Sequence, residues 1–280
     1  MGRHQLTAGD LQHELEVAIG LAHQAGEVIM SYYQTGLDVD EKDGGEPVTV
    51  ADRAADDLIV RGLRAAFPQD GILTEESDDD LSRLERERVW IVDPLDGTTE
   101  FIKGTGDFSV QIALTLQGEP VLGVVYQPTE DLLYHAVRDG GAFCVESGQT
   151  RQLRVTIETD LANMCMAASR SHYSAFVRAA RQALGIRKVQ RVGSVGLKVG
   201  LLAQGACDLY VATTVAKEWD FCAPHALLLE AGGTLTNLCG ERLVYNQAKV
   251  AECRGLIGSN GHIHAHLVDV LTSLMDEKKG

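Results

Sequence analysis

Residues 90–101 read WIVDPLDGTTEF, and the way this stretch folds decides how the rest of the chain is read. Apolar residues run into Asp93, as in a strand buried on both faces. Asp93 and Asp96 end that strand, where open sheets present their ligands. Pro94 fixes φ and removes a donor, so the Leu95 carbonyl can be held outward between the two acids. Two carboxylates and a carbonyl make an all-oxygen donor set, which suits Mg²⁺, a hard cation. Gly97 allows a sharp turn, and the N–H groups of Gly97 and Thr98, at the start of a helical turn, favour phosphate. A capped turn, in which Asp96 and Thr98 hydrogen-bond locally, accounts for the pentapeptide equally well.

Upstream, residues 8–33 carry Leu11, Leu15, Ala18, Ala22, Ala25 and Ile29 on one helical stripe. DVDEKDGGEP, residues 38–47, reads as a polar loop. A second helix runs over 50–67, with Ala51, Ala55, Leu58, Ile59, Leu63 and Ala66 facing inward and Pro68 stopping it. GILTEES is a short strand ending in Glu75 and Glu76, and DDDLSRLERER reads as a solvated charged excursion. Downstream, FSVQIALTL and VLGVVYQP form a hairpin, and LLYHAVR and AFCV form another across Asp139-Gly140-Gly141.

From about residue 150 the pattern changes. Strands at NMCMAAS, KVQRV, CDLYVA, TLTNL and GLIGS alternate with helices over 171–184, SVGLKVGLLAQG, FCAPHALLLEAGG and 261–276. Two helices and a largely antiparallel sheet over 1–150, then an alternating half over 151–280, predict an α/β half joined to an α+β half.

Composition narrows the class. The 280 residues are 45% hydrophobic and 23% charged, as in a globular protein. No apolar run approaches the roughly 18 residues needed to cross a bilayer. MGRHQLTAGD has no secretory h-region, and Leu6 stands where a myristoylation signal wants Ser or Thr. A cytoplasmic protein is expected. The net charge of −15 disfavours nucleic-acid and membrane surfaces, and a small anionic substrate would need local cations. The six cysteines (Cys144, Cys165, Cys207, Cys222, Cys239 and Cys253) show no zinc or disulfide spacing and read mostly as reduced core residues.

Other acids repeat the theme, each with a plain structural reading beside the functional one. Asp52 follows Thr49 at capping-box spacing, Glu75 and Glu76 fit an exposed strand edge, and Asp220, after Trp219, fits a helix N-cap. Four acidic sites at strand ends or helix starts, in both halves, are harder to explain together. The chain has no P-loop, dinucleotide fingerprint or nucleophile elbow. The spacing of Asp93 and Asp96 does not fit an aspartyl-phosphate nucleophile. HIHAH, residues 262–266, spreads its histidines around a helix rather than clustering them.

DPLDGT (93–98), Trp219-Asp220, Glu75-Glu76 and PVTVAD together, in this order along nearly the whole chain, resemble the inositol monophosphatase superfamily. The Glu100-Phe101-Ile102 extension, ASRSH (168–172) and GSVGLK (193–198) are similar to its 3′(2′),5′-bisphosphate nucleotidase, or CysQ-type, branch. The resemblance implies an α+β fold, a layered αβαβα sandwich, and a Mg²⁺-dependent phosphomonoesterase with two or three ions. It implies hydrolysis of the 3′-phosphate of adenosine 3′,5′-bisphosphate by water. One ion would sit on Glu75, Asp93 and the Leu95 carbonyl, and another on Asp93, Asp96 and Asp220. Asp52 and Thr98 would activate the water, and Gly97 and Thr98 would hold phosphate. His172, Ser194 and Lys198 would meet the nucleotide's ribose or remaining phosphate. A homodimer is common in the superfamily, though no residue here signals one. Two departures stand out: Thr99 where many relatives have Lys, and Lys217 where some have Arg. Other expectations in play are inositol monophosphate, histidinol phosphate or fructose 1,6-bisphosphate as substrate, and a catalytically silent metal- or partner-binding protein.

Overall fold

The computed structural model describes residues 8–35, 39–41, 47–250 and 253–277. A 3₁₀ turn (Ala8–Leu11) leads into α1 (Gln12–Tyr32). Where a loop was expected, β1 (Val39–Glu41) and β2 (Pro47–Thr49) pair as a short antiparallel ribbon. Residues 38 and 42–46 of that loop, and the N-terminal seven, lie outside the described residues. Helix α2 (Val50–Ala66), β3 (Gly71–Thr74), β4 (Arg88–Asp96) and the short α3 (Thr98–Ile102) follow. Next come β5 (Ser109–Leu116), β6 (Glu119–Gln127), β7 (Leu132–Val137), β8 (Gly141–Glu146) and β9 (Gln149–Gln152). The remainder is β10 (Cys165–Ser169), α4 (Ala175–Ala183), β11 (Lys188–Val192), α5 (Val195–Ala203), β12 (Leu209–Ala216), α6 (Glu218–Glu230), β13 (Thr234–Asn237), β14 (Cys253–Ser259) and α7 (His264–Glu277).

These elements stack in five layers, αβαβα, as the resemblance implies. The first sheet has the order β3-β4-β5-β6-β7-β8-β9, antiparallel except for the β3–β4 pair. The second has the order β11-β10-β12-β14-β13, with β10 parallel to both neighbours. Strand β4 shows why its sequence reads as a continuous apolar run. Trp90 and Val92 pack with Ile59 and Leu63 under α1 and α2, while Val89 and Ile91 pack on the other face with Leu197 and Leu227 of α5 and α6. A strand covered on both faces has no polar side to display. Helices α4 and α7 cover the far face of the second sheet through Val177, Ala180, Leu267 and Leu271 against Met166, Val211 and Ile257. The middle layer is therefore a core built from both halves of the chain.

Several local expectations are corrected. Helix α4 starts at Ala175, not 171, because Ser174 caps it by accepting the Val177 N–H (3.2 Å). Helix α6 starts at Glu218, so Asp220 lies inside its first turn. Strand β9 falls across the boundary between the two halves expected near residue 150. The charged excursion is not wholly solvated: Arg83 is 2% exposed. Its guanidinium donates to Asp79 (2.7 Å), Asn246 Oδ1 (2.7 Å) and the Gln247 carbonyl (2.9 Å). A buried cation needs such partners to offset its lost hydration. Cys144, Cys207 and Cys222 are buried and Cys239 is exposed; the side chain of Cys253 lies outside the description. Among the described residues, no helix is long and apolar enough to cross a membrane.

Candidate active site

The motif at the end of β4 owes its geometry to an irregularity that spacing alone does not reveal. In a regular strand, residues three apart point to opposite faces. Here Asp93 pairs with Gln111 and Asp96 with Ser109, so three steps along β4 match two along β5. The extra residue is a β-bulge, and Pro94 sits within it, where no ladder hydrogen bond is required of it. The bulge turns both aspartates towards the same face, that of the middle layer.

Gly97 then takes φ +101°, and a Cβ there would stand 3.0 Å from the Asp107 carbonyl. Its carbonyl accepts from the N–H groups of Glu100 (2.9 Å) and Phe101 (3.0 Å), which starts α3. Thr98, the first residue of that turn, donates its hydroxyl to Asp52 Oδ1 (3.1 Å) and lies 3.2 Å from the Leu95 carbonyl. Asp52 also closes the capping box of α2, accepting the Thr49 N–H (2.7 Å) and hydroxyl (2.6 Å) at Oδ2. The capping reading and the functional reading thus hold together, one oxygen for each. Burial raises the Asp52 pKa, and these hydrogen bonds only partly oppose it.

A cavity of about 380 Å³ opens over this corner. Glu75, Asp93, Leu95, Asp96, Gly97, Thr98, Thr99 and Asp220 line it, together with His172, Tyr173, Tyr210, Thr213, Thr214, Ser194, Lys198 and Lys217. The structure therefore brings together every expected site residue except Asp52, which backs the cavity through Thr98. Glu76 does not line it.

The electrostatics are unusual for a fold's interior. Burial, reinforced by the charges of Glu75, Asp96 and Asp220, pushes Asp93 well above the ordinary carboxylate range. Asp220 keeps part of its surface open to the cavity, yet burial and the charges of Asp96 and Glu75 push it up to about 8. The Lys217 N–H donates to it at 2.7 Å, so this acid steadies the first turn of α6 from within. Asp96 is better provided for. Its Oδ2 accepts from Ser194 Oγ, Gln111 Nε2 and the Gly196 N–H (3.0 Å). A Cβ on Gly196 would meet Val125 Cγ1 at 2.7 Å, so the close approach of α5 to this acid needs glycine. Lys198, 6% exposed, has its pKa lowered by burial against the pull of Asp96, Glu100 and Asp220. Its Nζ lies 5.3 Å from the Tyr210 ring centroid.

Repulsion among buried carboxylates is relieved by a proton or a cation. Oxygen-only donors, three of them aspartates or glutamates that raise Asp93, fit a hard divalent ion. Among the described residues, no three His, Cys, Asp or Glu side chains stand close enough as placed to hold a metal ion between them. The histidines of residues 262–266 do something else: His264 bonds Ser259 Oγ (2.8 Å) and Thr236 Oγ1 (2.9 Å) with its two ring nitrogens.

The sequence reading missed several residues of this corner. Asp56 lies one turn after Asp52 on α2, a spacing visible in the sequence. Glu100 is 4% exposed, lines the cavity and leaves Oε1 without a donor. Thr213 and Thr214 reach the cavity through a second register shift, between Ala212 and Val215 of β12, for which the sequence gives no signal.

The model of the inositol monophosphatase family matches residues 10–275. The chain is 38% identical over 234 residues to the 3′(2′),5′-bisphosphate nucleotidase CysQ of Escherichia coli K12, covering 82% of this chain and 93% of the relative. It is 36% identical to the enzyme of that name from Aggregatibacter actinomycetemcomitans, over 84% of this chain and 88% of the relative. Among solved structures, the Thermotoga maritima IMPase superposes with TM-score 0.82 and 29% identity, covering 95% of this chain and 99% of that one. CysQ from Bacteroides thetaiotaomicron superposes with TM-score 0.77 and 31% identity, over 89% and 98%.

Proposed function

Because the chain belongs to the inositol monophosphatase family, we propose that it is a Mg²⁺-dependent phosphomonoesterase that removes the 3′-phosphate of adenosine 3′,5′-bisphosphate. The observation that carries this reading is the convergence of Glu75, Asp93, Asp96 and Asp220 on one cavity, with Asp93 raised by burial and, after it, by the charges of the other three. The nucleotide as substrate rests on the relatives named bisphosphate nucleotidase.

Glu75, Asp93, the Leu95 carbonyl, Asp96 and Asp220 would hold two or three Mg²⁺ ions. Bound there, the metal supplies positive charge to the phosphoryl oxygens and the leaving alkoxide and acidifies water. The remaining work falls to the chain's own groups. The Thr98 hydroxyl donates to Asp52, which leaves its lone pairs to accept a hydrogen bond from the attacking water. As the water oxygen bonds to phosphorus, its proton passes to Thr98, whose own proton passes to Asp52 Oδ1; the bond between phosphorus and the 3′-oxygen breaks, and the leaving alkoxide takes a proton from solvent water. The raised pKa of Asp52 makes it the better acceptor. Gly97 and Thr98 hold the phosphate through backbone N–H groups. Lys198, His172 and Lys217 face the rest of the substrate, while Ser194, whose hydroxyl is engaged by Asp96, steadies that acid.

Phosphate release from adenosine 3′,5′-bisphosphate should require Mg²⁺, cease with chelator, and show a higher kcat/KM than release from inositol 1-phosphate. The reverse ratio would select the second reading, an inositol monophosphatase, which the overlay on the Thermotoga maritima IMPase favours. No turnover of either ester would leave a silent binding protein.

A further inference from the structure

Helix α2 carries two buried carboxylates one turn apart, Asp52 and Asp56, and they reach different parts of the site. Asp52 holds Thr98. Asp56, 2% exposed, accepts from Thr74 Oγ1 at one oxygen and from Ser77 Oγ (2.5 Å) at the other. Those hydroxyls bracket Glu75 and Glu76. Ala55, Ile59 and Leu63 show what α2 otherwise turns inward, so a carboxylate among them is costly unless its geometry is used.

The backbone explains the need. The β3–β4 ladder ends at the Thr74–Val92 pair. The Glu75 N–H still reaches the Val92 carbonyl at 3.3 Å, but beyond it the chain leaves the sheet and register no longer fixes where side chains point. Glu75 nevertheless lines the cavity and is the largest charge acting on Asp93.

We propose that Asp56 is a positioning residue of the metal site: by fixing Thr74 and Ser77 it holds the strand exit so that the Glu75 carboxylate faces Asp93. This rests on the metal-holding role of Glu75 proposed above. Asp56 itself touches neither metal nor substrate.

The test is a double-mutant cycle read by calorimetric Mg²⁺ binding to the substrate-free protein, with Tm measured for each variant. Asp56→Asn keeps the shape but can accept from only one hydroxyl. It should weaken Mg²⁺ binding about tenfold, the scale on which residues that orient metal ligands act. On a Glu75→Gln background the same change should add less than about twofold, because coupled residues are non-additive. Ser77→Ala, which removes one donor from an exposed position, should weaken binding by about threefold and guards against an Asp56 variant that fails to fold. Equal weakening by Asp56→Asn in both backgrounds, or a lower Tm with Mg²⁺ affinity unchanged, would overturn the positioning role alone. Wild-type affinity in Glu75→Gln by itself would overturn the metal assignment of Glu75 and, with it, this role.

Discussion

Two bulges contribute residues to the cavity lining, and they differ in depth. In β4 the three steps from Asp93 to Asp96 match two on β5; in β12 the three steps from Ala212 to Val215 match two on β14. The first lies deep, with Asp93 2% exposed, and Ser194, Gln111 and Gly196 gripping Asp96. The second stands at the rim, with Val215 56% exposed and Thr214 in solvent. Across it Gly255 takes φ +90°, where a Cβ would stand 2.5 Å from the Ala212 carbonyl. The contrast teaches a division of labour. The β4 bulge gathers buried acids, whereas the β12 bulge presents neutral groups to the same cavity.

The sharpest way to break that contrast is to disarm the deep side. Asp93→Asn should lower Mg²⁺-dependent phosphate release by about a thousandfold or more, as expected when several kcal/mol of charge stabilisation is lost. A steady-state assay that finds less than a tenfold loss would remove Asp93 from the metal site. Thr98→Ala interrupts the relay to Asp52 while sparing the carboxylates, and should lower kcat by about a hundredfold with KM little changed.

The third prediction concerns pH. Asp220 ionises near 3.8 when unfolded but is raised to about 8 in the fold. Between these values the unfolded state binds fewer protons than the native one, so stability contributed by this group falls as pH rises. In chelator the protein should lose up to about 1.4 kcal/mol per pH unit from this source between pH 4 and 8, and level off above. Denaturant titrations should show Asp220→Asn free of that slope, and a variant as pH-dependent as the parent would refute it. Smallest is the change expected at the rim. Thr214→Ala should alter KM by less than about fivefold and leave kcat unchanged, since one exposed hydroxyl contributes little; a large kcat effect would mean the β12 bulge takes part in the chemistry.

Much of this was legible before folding. The stripe of α1 and α2, the two hairpins and the alternating second half follow from apolar periodicity, which burial enforces directly. The acids Asp52, Glu75, Asp93, Asp96 and Asp220 stood out because each ends a strand or begins a helix. Other parts were hidden for physical reasons. Arg83 looked like one charge among many, because its partners Asn246 and Gln247 lie more than 160 positions away. Glu100 entered only as part of the Glu100-Phe101-Ile102 extension and Asp56 drew no reading, because their burial depends on neighbouring elements. The helix expected from 171 starts at Ala175 because Ser174, not an earlier residue, accepts the Val177 N–H, a contact that local periodicity does not specify.

The sequence by itself determined the two helices, the hairpins, the alternating second half and the oxygen-rich chemistry of its acids, since these follow from residue type and local period, while the five layers and the grouping of the acids were implied only by the family resemblance. Only the tertiary structure decided that Asp93 and Asp96, three residues apart, look the same way. That depends on the register β5 imposes on β4 around Pro94, a long-range constraint absent from the local pattern. It likewise decided that Asp220, more than a hundred positions further on, lines the same cavity, because α6 lies against β4 in the layer that both sheets share.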